Sequence, residues 1–439
     1  MRIPPSEYLD FEIRIWREGP HYFAQAESSQ ESSERVSLDP LFESPKDAQI
    51  LMLRLENALL RQGARASVEE KALKDFGQEV FDTIFRNSHS IYSLYTQCQA
   101  AAEADEGVAG LRVRLRIDAP DLAQFPWEYL YNSGSREWLG LFYKSPIIRR
   151  LDVLNPTPPL KLDGPLNILG MIANPGTKKW KLLEDAERER TLIDRAIQPH
   201  QAAGKVNFRW TQAGTSDALR SMMSAEHWHV FHFIGHGGMP SLIDEEPEGG
   251  IPADEVDEHG HTNEEEGDAA DRPEGFIVLS DGRGGHNEVA ASELKTMLQQ
   301  PGRSSLRLVF LNCCESARGT AEDVFASPAA ALVRAGIPNV IAMQFPITGD
   351  AAIELSSAFY ENLADGWPIE AALTNARNKM WDKSRIDWGI PVLYTRAKSG
   401  QLFVSTSRPS RQADAHMPDQ PVDQRKQQAR ARLRELYRV

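Results

Sequence analysis

The sequence predicts an α/β fold: a mainly parallel sheet with helices on both faces, preceded by a mixed α+β N-terminal domain. Three observations predict it. Short runs apolar on both faces, such as Leu166 to Ala173 and Leu306 to Leu311, read as strands buried on both sides. Helical patterns stand between those runs, which parallel strands need as crossovers. The residues before a Pro-rich join mix strand and helix patterns without that regular alternation.

In the first part, Leu9 to Trp16, Gly110 to Ile117 and Pro146 to Arg150 read as strands, and Lys46 to Gln62 and Val68 to Arg86 as helices. The join Asn155-Pro156-Thr157-Pro158-Pro159 reads as a linker and divides a domain over 1–159 from one over 160–405. In the second part, strands are expected at Leu166 to Ala173, Val206 to Trp210, Trp228 to Ile234, Phe276 to Leu279, Leu306 to Leu311 and Val340 to Met343. Helices are expected at Glu184 to Ile197, Thr215 to Met223, Val289 to Gln299, Pro328 to Ala335, Asp350 to Leu363 and Pro368 to Met380. Thr215 and Ser327 stand where N-caps belong, Pro328 suits a first helical position, and Gly336 suits a helix stop. From 406 to 439 the chain is polar, and Gln424 to Val439 reads as a short basic helix. No repeat of fixed period occurs.

Composition removes several function classes. No apolar run is long enough to cross a membrane, and the first residues lack a signal-peptide pattern. The three cysteines, Cys98, Cys313 and Cys314, give no disulfide framework, so a reducing cytoplasm is expected. Net charge is −14, yet the stretch from Asp244 to Asp271 holds thirteen carboxylates and no Lys or Arg. That segment accounts for nearly all the acidity, and the remainder carries no field that would gather nucleic acid or acidic lipid. It reads as an acidic insertion over about 241–274, a disordered run of like charges or else a regulatory loop.

Reactive groups in parallel sheets collect past the carboxyl ends of strands. Two strands end in unusual residues there. Val230-Phe231-His232-Phe233-Ile234 runs into Gly235-His236-Gly237-Gly238, and Leu308-Val309-Phe310-Leu311 runs into Asn312-Cys313-Cys314-Glu315. A thiolate is a nucleophile, and a facing imidazole serves it as general acid and base. His236 and Cys314 are therefore the catalytic candidates, with the backbone N–H groups of Gly237 and Cys314 as oxyanion donors. His232 and Asn312 are candidates for support behind them.

"HFIGHGG" and "LVFLNCCESA" resemble the two motifs of CHAT domains, the bacterial relatives of caspases and separase. Further matches are Asn174-Pro175, Gly275 to Gly282, Ala335 to Ala342, Phe359 to Leu363 and Ala371 to Lys379; together they cover about 160 to 400. Phe125-Pro126-Trp127-Glu128-Tyr129-Leu130 is similar to a segment often placed before such catalytic units, where it reads as a packing motif. The resemblance implies a caspase-like sheet, a thiol protease cutting a peptide bond in a protein substrate, a regulatory protein partner, and a setting in bacterial defence or cell death. It implies no metal and no organic cofactor. Cys-Glu-Ser aligns Cys314 with the nucleophile, while the preceding position, commonly small, is Cys313; whether Cys313 contributes stays open. Phe345 stands where the family often has Trp, in Gln344-Phe345-Pro346. Glu315, Gln344, Phe345 and Asp350 are the candidates for a substrate pocket.

Other readings have less behind them. His227, His229, His232 and His236 invite a metal, but strand alternation separates His229 from His232 and no C-x-x-C spacing occurs. His-Gly-Gly occurs in some esterase loops, but the chain has no G-x-S-x-G elbow. A catalytically silent scaffold that binds and recruits a protein is the alternative function.

Overall fold

The computed structural model describes residues 7–39, 41–42, 45–60, 66–151, 157–238, 274–299, 305–313, 327–397 and 400–405. The acidic insertion, the tail from 406, Cys314 and Glu315 lie outside the described residues. The described residues up to Val404 form a first compact unit.

One thirteen-stranded sheet organises the first unit. Its strands in chain order are β1 (Glu7–Glu18), β2 (His21–Glu27), β3 (Val36–Ser37), β4 (Val108–Ile117), β5 (Ile147–Arg150), β6 (Leu166–Ala173), β7 (Val206–Trp210), β8 (Val230–Gly238), β9 (Phe276–Ser280), β10 (His286–Ala290), β11 (Leu308–Asn312), β12 (Asn339–Met343) and β13 (Pro391–Thr395). In space the order is β7-β6-β8-β11-β12-β13-β5-β4-β1-β2-β3, and β9 and β10 extend from the end of β8. From β7 to β12 all pairing is parallel, as the βα alternation predicts; β13 enters antiparallel to β12 and then runs parallel to β5. The strands before the Pro-rich join thus continue the same sheet. β13, β2 and the helix His89–Ala104 are elements the sequence pattern did not mark.

Alternate side chains of the central strands enter two apolar cores. Ile168, Val230, Ile234, Leu308, Phe310 and Ile341 belong to one, and Leu169, Phe231, Val309, Leu311, Val340 and Ala342 to the other. Burial on both faces is why these runs carry no polar alternation. The helices Ala186–Ala202 and Gly349–Ala364 pack together on the first face. The helices Ser216–Ala225, Ala291–Leu298 and Pro328–Arg334 bury their apolar sides in the second core. Both expected caps form: Thr215 Oγ1 accepts from the Ala218 amide at 3.3 Å and Ser327 Oγ from the Ala330 amide at 3.1 Å. The expected helix from Val289 starts only at Ala291, because Val289 and Ala290 pair with Ile277 and Phe276 as the end of β10. Among the described residues no helix is long and apolar enough to cross a membrane.

Candidate active site

β8 and β11 lie side by side at the centre of the sheet, with Val230 opposite Leu308 and Ile234 opposite Asn312. β8 outruns this pairing. Its last residues, His236, Gly237 and Gly238, pair antiparallel with Val278, Ile277 and Phe276 of β9. His236 therefore stands half-buried at the carboxyl edge of the sheet, held by a hairpin on one side.

A loop from β6 covers it. Asn174 ties that loop at both ends, accepting from the Leu183 amide at 2.9 Å and donating to the Leu183 carbonyl at 3.0 Å. The loop presents the Lys181 carbonyl 2.6 Å from His236 Nε2. A carbonyl only accepts, so Nε2 carries the proton and Nδ1 is left as the basic nitrogen of the neutral ring. The Trp180 indole lies against the imidazole with ring centroids 5.3 Å apart, and meets Phe276 edge-on. Trp180 Nε1 donates to Glu288 at 3.2 Å, and Lys179 pairs with the same carboxylate at 2.8 Å. The sequence reading missed this loop's role, although a tryptophan between two lysines was a visible signal.

Gly237 is needed for close approach. A Cβ there would sit 2.9 Å from the Phe276 carbonyl oxygen and 3.0 Å from Cys313 Sγ. Cys313 is 3% exposed and shares the alternation of Val309 and Leu311, so its side chain belongs to the second core. Cys313 thus reads as a small apolar core residue. Cys314 and Glu315 lie outside the described residues.

On the other face, Asn312 Nδ2 donates to both oxygens of Glu189, at 2.7 and 2.8 Å. Ser356 Oγ adds a third bond at 2.8 Å. His232, fully buried, has Nδ1 2.9 Å from the Tyr360 hydroxyl and Nε2 3.9 Å from Glu189. The two residues expected behind the catalytic pair therefore meet around a carboxyl that the sequence did not single out. His229, just before β8, is also buried; its Nδ1 accepts the Asn167 amide at 2.9 Å.

Burial pushes the Glu189 carboxyl up to about 7 and the His232 imidazole down to about 3. Their effects on stability have opposite signs. The raised Glu189 pKa stabilises the fold fully below the ordinary carboxyl value, and this contribution is lost as pH rises to about 7. His232 contributes above the ordinary imidazole value, and that contribution is lost as pH falls. Glu189→Gln removes only the first trend. Between pH 4.5 and about 7 the wild type is expected to lose roughly 3 kcal/mol relative to this variant, read as urea midpoints. A difference that stays constant with pH would contradict the assignment.

Of the substrate-pocket candidates, Gln344 and Phe345 need correction. Gln344 is fully buried, its amide donating to the carbonyls of Gln124 and Phe125 at 2.5 and 3.2 Å and accepting from Arg149 at 3.0 Å. Phe345 fills the first core. Both sit where β12 gives way to its loop under the N-terminal strands, so no surface remains for a substrate. Asp350 is exposed but paired with Arg188 at 2.7 Å.

A family model described as CHAT domain matches residues 86–423, most of the chain. The chain belongs to the CHAT family. Its large mixed α/β sheet agrees with the fold class expected from the sequence. Among solved structures, it is similar to the Saccharomyces cerevisiae separase–securin complex at 11% identity and a TM-score of 0.46. That match covers 89% of this CHAT chain and 30% of the other, so the chain spans less than a third of it. Comparison with curated proteins gave no match.

Proposed function

We propose that this CHAT chain is a cysteine endopeptidase that cleaves a protein target through Cys314 and His236. One observation carries the reading. The parallel register pairs Ile234 with Asn312, and the sequence then runs two residues on from each, to His236 and to Cys314. Adjacent strands lie only about 5 Å apart, so equal extensions from one paired position favour a facing dyad. The room at Gly237, where an added Cβ would sit 3.0 Å from Cys313 Sγ, supports the same proximity. Burial of Cys313 in the apolar core also leaves the chemistry to its neighbour.

In the reaction, the Cys314 thiolate attacks the peptide carbonyl carbon, and the oxyanion is held by backbone N–H groups, with Gly237 and Cys314 as donors. Collapse breaks the C–N bond as protonated His236 gives its proton to the leaving amine. Water then attacks the thioester, His236 takes its proton, and the carboxylic acid product leaves the thiol restored. The Lys181 carbonyl keeps Nε2 protonated throughout, so Nδ1 does the transfer.

The test is incubation with a diverse peptide library under reducing conditions, read by mass spectrometry. Cuts at a consistent sequence position support the reading. Neither cleavage nor labelling of Cys314 by a peptidyl acyloxymethyl ketone would sink it.

A further inference from the structure

Glu189 has no evident reason to be a carboxyl. It is 4% exposed, and among the described residues no Lys or Arg pairs with it. A buried carboxylate without a cation is costly, and an amide or an apolar side chain would fill the space more cheaply. What surrounds it is a set of donors. Asn312 donates from β11 and Ser356 from the helix Gly349–Ala364, and His232 of β8 lies alongside with Nε2 3.9 Å away, while Glu189 itself stands in the first turn of Ala186–Ala202. Three separate elements thus converge on one carboxyl, and Asn312 is the last residue of the strand that leads to Cys314.

We propose that Glu189 is a positioning residue for the nucleophile: its carboxylate holds the Asn312 amide and so fixes the end of β11. This rests on the reading of Cys314 as the nucleophile. The donors fit the ionised carboxylate, which only accepts. A proton on Glu189 would face the Asn312 NH2 and the Ser356 hydroxyl, and the Asn312 amide would have to turn or let go. The other titratable groups facing Glu189 are His232, backed by the Tyr360 hydroxyl, and Asp185 one turn earlier on its own helix. His232 stays neutral and Asp185 opposes ionisation, so the bonds from Asn312 and Ser356 are what favour the charged form.

The experiment compares the full chain with Glu189→Gln and Ser356→Ala, using a peptide taken from the library and confirming folding by thermal melts. In Glu189→Gln, kcat is expected to fall about tenfold to a hundredfold with KM changing less than about twofold. The wild-type pH profile should carry an acid limb near 7 that this variant lacks. Ser356→Ala should move that limb up by about one pH unit, because a bond to the charged form is lost. A merely structural role would not move it. If Glu189→Gln does not fold, the limb in Ser356→Ala decides alone: a shift supports the proposal and its absence overturns it. If the wild type cuts no peptide, the peptidase reading fails separately, and the alkylation rate of Cys314 by iodoacetamide against pH takes over. Loss of its acid limb in Glu189→Gln supports positioning; superimposable profiles overturn it.

Discussion

Cys314→Ala is expected to lower kcat/KM for peptide cleavage by at least about a thousandfold, and His236→Ala by a similar factor. In the proposed mechanism the thiolate forms the covalent bond and the imidazole moves the proton at both steps, so neither would work without the other. The double variant should be little worse than either single one, because residues that act as a unit are strongly non-additive. Cys313→Ala is the control. Its side chain lies in the apolar core beside Leu311, so the change should cost some stability and leave cleavage in place. Cleavage that survives Cys314→Ala and vanishes in Cys313→Ala would move the nucleophile by one residue. Rates are best compared on a single peptide from the library, with melting temperatures measured alongside.

Glu128→Gln should be the most destabilising of the substitutions considered. The Phe125 to Leu130 segment turns through a short 3-10 helix at Trp127–Tyr129 and buries Glu128 completely. Arg149 of β5 meets it side-on, Nε to Oε1 at 3.1 Å and Nη2 to Oε2 at 2.7 Å. The guanidinium also donates to the carbonyls of Ala123 and Phe125 and to Gln344. Removing the carboxylate leaves a buried cation without its counter-charge, which costs about 3 to 5 kcal/mol. A urea midpoint unchanged from the wild type would refute this. Removing both charges, as in Glu128→Gln with Arg149→Met, should recover part of the loss, because the remaining pair no longer strands a charge. The pair also explains why Gln344 is out of reach of a substrate: it braces β12 against the N-terminal segment.

The sequence by itself determined the parallel half of the sheet. Runs such as Val230 to Ile234 and Leu308 to Leu311 are apolar at every position but His232, and burial on both faces demands that pattern wherever the strand sits. The caps at Thr215 and Ser327 were legible for a similar reason, since a cap is satisfied within three residues. His236 stands out between glycines where the apolar run ends, and only the pairing with β9 carries β8 on through it, while Asn312 and His232 lie on the same two strands. What the tertiary structure decided depends on partners far away in the chain. The joining of β13 to β5 brings Thr395 beside Arg150, a pairing no local pattern encodes. Gln344 and Phe345 look like an exposed loop until Arg149, Gln124 and Phe125 close over them. The Lys181 carbonyl carries no side-chain signature at all, since any residue supplies one. Glu189 sits among the surface-like charges of an acidic helix, and only the arrival of Asn312 and Ser356 from two other elements makes it the one carboxyl of that helix buried against β11.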